Sequence, residues 1–396
     1  MLAAYGLGVI AATFIGKLPP ALPPLREAFG LSLVAAGWLS SAFNVLAIVG
    51  AIACGLVADR LGAAPACAVG LLLLASGTVA GALASDASIL FASRFVEGAG
   101  FIFTVVAAPA LISQTTAPAQ RRLSLGLWAS YMPAGTTLML LAAPVVMARS
   151  DWRMLWWLEL VAVLLGGMAL WRFRKVYSAR TAAHRRWREI AAPMQRLGPW
   201  ILGLAFGCYT FQFYAIMMWL PTYLIETRQL SAASAALATA AMVAINIPGN
   251  LFGAWLAHRG LPRGTQMVLG AAAMAVGSLI AFGAALPDGV RFAGCLFFSF
   301  FGGLVPSTVL SGSQTHARAP TEVATLQGVI VQVANLGQFL GPPLVAISVG
   351  AGASGGNHWQ GVLALMLAAA ALGVSLGWWT HRLEKRMALA SSASGR

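Results

Sequence analysis

Charge is what this sequence has least of. Asp, Glu, Lys and Arg make up only 9% of its 396 residues, while 59% are hydrophobic. A chain that folds in water uses roughly a quarter of its residues as charge to cover its surface, so lipid is the expected solvent. Cysteine is also scarce. Cys54, Cys67, Cys208 and Cys295 all fall in apolar stretches and form no CxxC pair, which excludes a disulfide framework and a thiolate metal site. His184, His258, His316, His358 and His381 are scattered over loops and segment ends. No HExxH, GxSxG or GxxxxGK[ST] occurs, so the sequence offers no zinc hydrolase, no serine hydrolase and no P-loop ATPase, and it implies no cofactor. The N-terminus lacks a basic run and a small-residue cleavage site, and its first apolar stretch reads as a mature helix.

What is abundant is the long apolar run. A hydrocarbon core of about 30 Å takes about 20 helical residues to cross. On that basis spans are expected near 3–24, 33–57, 64–84, 88–114, 122–147, 153–172, 199–223, 233–257, 264–286, 291–314, 322–347 and 359–380. The fold class predicted is an all-α membrane protein of twelve transmembrane helices in two six-helix bundles. The bundles are placed at 1–172 and 198–383, with a basic linker at 173–197 and a tail at 384–396.

The net charge of +14 does not indicate a nucleic-acid partner, because the basic residues sit in short gaps between apolar runs. Placing both termini on one side gathers Arg60, Arg121, Arg122, Arg259, Arg263, Arg318, the run from Arg172 to Arg196 and the C-terminal cations there. Only Arg26, Arg149, Arg153, Arg228 and Arg291 remain for the other side. The positive-inside bias then predicts cytoplasmic termini. The linker sequence RTAAHRRWREI reads as a basic amphipathic helix on the anionic membrane surface.

The two halves repeat at an offset of about 200 residues. LPPLREAFGLS (22–32) matches LPTYLIETRQLS (220–231), DRLG (59–62) matches HRG (258–260), SQT recurs at 113–115 and 313–315, and AAPVV (142–146) answers GPPLV (341–345). Four matches in one order at nearly one offset imply two parallel repeats about an axis along the membrane normal, an architecture suited to alternating access.

Two motifs stand out. Between the second and third spans lies Gly55-Leu-Val-Ala-Asp59-Arg60-Leu-Gly62. Its glycines permit a close helix approach and a tight turn, and its acidic residue can pair with an arginine or a helix N-terminus. In the fourth span, Arg94-Phe-Val-Glu97-Gly98-Ala-Gly100 puts a cation and a carboxylate three residues apart on one face. Intramembrane charge is expensive and marks a solute or proton path, with a self-neutralised structural pair as the alternative. These motifs resemble the signature loop and the RxxxGxG signature of the major facilitator superfamily, and the resemblance covers the whole chain. The basic residues that usually follow Gly62 are absent, and His258 stands at the acidic position of the second half. The resemblance implies a solute transporter rather than an enzyme, located in a bacterial inner membrane and working as a monomer. It also implies that Gly55, Asp59, Arg60 and Gly62 act as a conformational latch, and that Arg94 faces the central cavity.

Lys17 lies just before Pro19 and Pro20 in the first span; it either adds positive charge to the cavity or snorkels to the outer headgroups. Glu159 is read as peripheral, because the sixth helix is peripheral in the family. Neutral polar residues complete the candidate set: Tyr131, Tyr209, Gln212, Asn246, Asn335 and Gln338 as solute contacts. Two cations in the cavity suggest a small organic or inorganic anion as solute, with protons as coupling ion and Glu97 as proton carrier. Within the superfamily the sequence resembles the cyanate-transporter group, through LGLWASYM in the fifth helix and MWLPTYLIE in the seventh. The fifth helix lacks the GPxxGG ending of drug/proton antiporters, which favours uptake or facilitated exchange; export of drugs or metabolites is the alternative.

Overall fold

A computed structural model describes residues 1–117, 120, 124, 127, 128, 130–177, 194–282, 286–317, 322–351 and 359–394. The side chains of 52, 56, 59, 323, 324, 351, 360, 388 and 390–394 lie outside the description. The elements are α1 (Leu2–Gly16), α2 (Leu18–Phe29), α3 (Leu33–Ala42), α4 (Val45–Leu61), α5 (Ala63–Ala82), α6 (Ala87–Thr115), α7 (Tyr131–Met147) and α8 (Arg153–Arg172). They continue as α9 (Leu197–Arg228), α10 (Ala232–Ala244), α11 (Asn246–His258), α12 (Arg263–Phe282), α13 (Asp288–Gly302), α14 (Leu304–His316), α15 (Val323–Ala351) and α16 (Gln360–Ser394). Among the described residues there is no strand. Eleven helical segments among them are long and apolar enough to cross a membrane, and α7 is a further, shorter apolar helix.

Eleven of the predicted spans reappear among the described residues, four of them broken near the middle; the fifth is described as a helix from Tyr131 on, and the RTAAHRRWREI segment of the linker lies outside the described residues. The first breaks at Lys17, between α1 and α2, where Pro19 and Pro20 occupy the opening positions of the second piece. Proline has no N–H, so carbonyls of the preceding turn lose their i+4 donors. The second span breaks at Phe43–Asn44, the eighth at Ile245 and the tenth at Gly303. The breaks in the second and eighth spans each carry an asparagine, Asn44 or Asn246, so the repeat seen in sequence recurs as backbone geometry. The final helix runs on to Ser394, well past the expected 380, because LEKRMALA contains strong helix formers.

The chain forms two compact units. The first comprises Met1–His184 with Met217–Ala244, and the second comprises Arg185–Ile216 with Ile245–Arg396. In the first, α5 packs along α6, α1 lies between α6, α7 and α8, and α10 packs on α7. Small residues set these distances. A Cβ at Gly77 would come within 2.8 Å of Glu97 Cγ, and one at Gly100 within 2.6 Å of the Gly70 carbonyl oxygen. Close backbone approach is how helices gain packing energy where water supplies no hydrophobic drive. Asp86 caps α6 by accepting from the Ile89 N–H at 3.1 Å, and that bond holds its carboxyl below the usual range.

In the second unit, α12 packs on α13 and α16, and α11 on α14. Arg196 donates to both oxygens of Glu322, at 2.7 and 2.9 Å, and to the His316 carbonyl at 3.2 Å; the carboxylate raises the arginine pKa. The pair is about one-fifth exposed, so its worth is that of a well-formed bidentate bridge near solvent, about 1 kcal/mol. Glu322→Gln is therefore expected to lower unfolding stability in detergent by about that amount, with the difference shrinking in high salt.

Candidate functional site

The first unit holds four charged side chains in its interior. Lys17, Glu97 and Glu159 have no solvent exposure and Arg94 has 2%. They form one chain of ion pairs. Lys17 Nζ donates to Glu97 Oε1 at 2.7 Å and to Glu159 Oε2 at 2.5 Å, while Arg94 Nη1 donates to Glu97 Oε2 at 2.6 Å. Two cations balance two carboxylates, the arrangement that lets charge exist in a medium where a lone ion costs several kcal/mol.

Local structure brings the four together. Lys17 sits at the break made by Pro19 and Pro20, and Arg94 Nη1 donates into that same break, to the Phe14 carbonyl, at 3.0 Å. Arg94 and Glu97 share one face of α6 through their three-residue spacing. Glu159 reaches in from α8, which packs on α5 and α1. Aromatic rings cover the cations: Phe14 and Trp156 lie 4.6 and 4.3 Å from the Lys17 ammonium, and Phe43 lies 4.6 Å from the Arg94 guanidinium.

One alternative left open for Lys17 is closed here, and one reading of the sequence is corrected. Lys17 does not snorkel, because its ammonium is wholly buried and spent on two carboxylates. Glu159 is not peripheral. The face of α8 that carries Leu155, Trp156, Glu159 and Val163 is buried, and Glu159 takes half of the Lys17 charge. Its position was inferred from where its helix lies in the family. The cost of an unpaired carboxylate in lipid already demanded a buried cationic partner.

The neutral candidates gather mainly in the second unit. The Tyr209 hydroxyl donates to Asn246 Oδ1 at 3.2 Å, and Asn250 Nδ2 donates to the same oxygen at 2.7 Å. Asn246 Nδ2 in turn donates to the Ser299 carbonyl at 2.8 Å. Gln212 Nε2 donates to the Cys208 carbonyl at 3.1 Å, and its buried Oε1 has no partner. Tyr209 and Gln212 line a small pocket with Cys208, Met267, Met274 and Val305. Asn335 and Gln338 are buried one turn apart on α15. In the first unit, Tyr131 stacks on Trp128 with ring centroids 4.3 Å apart, and Gly8 on α1 leaves room for both rings.

At the predicted latch, Gly55 lies on α4 and Arg60 is exposed near its end. Gly62 turns the chain with φ +89°, its N–H donating to the Ala58 carbonyl. The side chain of Asp59 lies outside the described residues. Gly260 makes the equivalent turn in the second half, with φ +86°. Sequence reasoning missed the charged group just beyond that turn. Arg263 pairs with Glu384 and donates to the Thr308 carbonyl and the Thr315 hydroxyl, both at 3.0 Å, and His316 stands 3.4 Å from Glu384. Extending the DRLG/HRG match by three residues would have reached Arg263.

Membrane-length helices, with buried and internally balanced charge inside the first unit, define a polytopic transport protein rather than an enzyme. The chain belongs to the Major Facilitator Superfamily, whose profile matches residues 4–342. It is 26% identical to the cyanate transport protein CynX of Escherichia coli (strain K12) over 226 residues, which are 56% of this chain and 57% of that one. It is 24% identical to the putative niacin/nicotinamide transporter NiaP of Bacillus subtilis (strain 168) over 358 residues, 87% of each chain. In structure it resembles a bacterial homolog of the human lysosomal transporter Spinster, in an inward-facing and unoccupied conformation. That match has a TM-score of 0.79 at 16% identity and covers 97% of both chains.

Proposed function

We propose that this chain carries a small organic or inorganic anion across a bacterial inner membrane by alternating access, together with a proton, as a monomer with both termini in the cytoplasm. One observation carries the reading: Lys17 and Arg94 are balanced by Glu97 and Glu159, with all four side chains buried. A neutral cluster has no net attraction for an anion. Adding one proton leaves it with one excess positive charge, so the anion and the proton enter together and the loaded state is neutral again. Cyanate, which names one relative, is a small anion of the kind this logic accommodates. Tyr131, Tyr209, Gln212, Asn246, Asn335 and Gln338 are proposed as uncharged solute contacts, and the loop from Gly55 to Gly62 as the latch between conformations.

Uptake into proteoliposomes across a panel of small carboxylates and pseudohalides tests this reading. One proton per anion predicts about tenfold accumulation per pH unit of inward gradient, with no response to membrane potential, since a tenfold ratio corresponds to about 1.4 kcal/mol. Lys17→Ala and Arg94→Ala are each expected to abolish gradient-driven uptake. Transport that survives either substitution, or that follows membrane potential instead of pH, overturns the proposal.

A further inference from the structure

The two carboxylates that share Lys17 are solvated unequally. Both oxygens of Glu97 are engaged: Oε1 accepts from Lys17 at 2.7 Å and from the Thr78 hydroxyl at 3.5 Å, and Oε2 accepts from Arg94 at 2.6 Å. Among the described residues Glu159 has one donor only, Lys17 on Oε2, and its buried Oε1 has no partner. An ionised carboxylate offers about four lone-pair sites, and leaving most of them unfilled away from water is costly.

Placing one proton on each carboxylate in turn separates their roles. A proton on Glu97 would weaken two ion pairs at once and leave Arg94 with the Phe14 carbonyl as its remaining acceptor. A proton on Glu159 removes the poorly solvated anion and leaves the chain Lys17–Glu97–Arg94 intact. The charged groups that act on Glu159 are Lys17 from the α1–α2 break and Glu97 and Arg94 from α6. Among the described residues, the other helices packed on α8 that contact it most bring no charge to it. The titratable groups of α1, α5 and α7 are Tyr5, Cys67 and Tyr131; on α8 itself Arg153 turns to Asp151 and the Ala84 carbonyl, and Arg172 lies in the last turn, by the Phe173 ring.

We propose that Glu159 is the group that takes up and releases the transported proton, while Glu97 positions Lys17 and Arg94. The inference deepens the proton-coupled reading above and rests on it. It also gives the proton a task. The Lys17 ammonium has three N–H donors, two of which are spent on carboxylates. Neutralising Glu159 releases the second of these toward an entering anion, and deprotonation reclaims it once the anion has left.

The test reads the proton itself and needs no solute. Infrared difference spectra of the detergent-solubilised full chain, recorded as pH is lowered, should show the C=O stretch of a protonated carboxyl group that exchanges slowly in D2O. The band should be lost in Glu159→Gln and shifted in frequency in Glu159→Asp. It should persist unshifted in Glu97→Gln and Glu97→Asp, once each variant is shown to be monodisperse. A band that persists in Glu159→Gln, or one lost in Glu97→Gln alone, overturns the assignment. If Glu159→Gln fails to fold, the Glu159→Asp shift decides the matter. A chain that shows the Glu159 band but accumulates none of the panel anions refutes the anion reading and leaves this assignment standing.

Discussion

Lys17→Met is expected to cost about 3–5 kcal/mol of stability, the range for stranding a charge in a protein interior by removing its partner. The substitution keeps the length and apolar bulk of the side chain, so cavity formation contributes little. What is lost is the one donor on Glu159 and one of three on Glu97, with no route for water to replace them. The double variant Lys17→Met/Glu159→Gln should recover most of the loss. It removes the stranded carboxylate and leaves Arg94 and Glu97 as a self-contained pair. Unfolding titrations in mixed micelles give both numbers. If Lys17→Met costs under about 1 kcal/mol, the cluster is solvated like a surface bridge and the charge-balance argument fails. If the double variant is no better than the single, the penalty lies in packing against Phe14 and Trp156 instead. Neither variant should accumulate anion, so stability and transport separate in the rescued protein.

Much of this arrangement was legible in the sequence. Apolar run length located the spans, because the bilayer imposes one thickness on every helix. The spacing of Arg94 and Glu97 indicated their pairing. Legibility failed where contacts join residues far apart in the chain. Lys17 and Glu159 are 142 residues apart, and no local pattern links them. Charge economy could have: a lone lysine and two carboxylates within spans must find each other or leave the membrane. Arg263 and Glu384 were missed for another reason. The tail was read as ending the fold, whereas α16 continues as a helix and delivers Glu384 to the turn after Gly260.

Gly98 is where the glycine pattern and the charge cluster meet, and Gly98→Ala should destabilise the first unit by about 1–3 kcal/mol, as overpacking does. A Cβ there would fall inside the contact radius of the Phe43 carbonyl oxygen, and its next neighbours are also Phe43 backbone atoms, which cannot rotate away. Phe43 stands at the break in the second span, and its ring covers the Arg94 guanidinium. Displacing it therefore disturbs the cluster as well as the packing, and gradient-driven uptake should fall together with the melting temperature. The second unit repeats the device with partners exchanged: Gly249 on α11 faces the Phe300 carbonyl of α13. Gly167→Ala on α8 supplies the comparison. Nothing lies within 4 Å of a Cβ there, so the gain in helix propensity, up to about 1 kcal/mol, should raise stability. Two glycine-to-alanine changes in membrane helices of one unit should thus move the melting temperature in opposite directions. Equal shifts of the same sign would mean that backbone contact at Phe43 does not hold these helices in place.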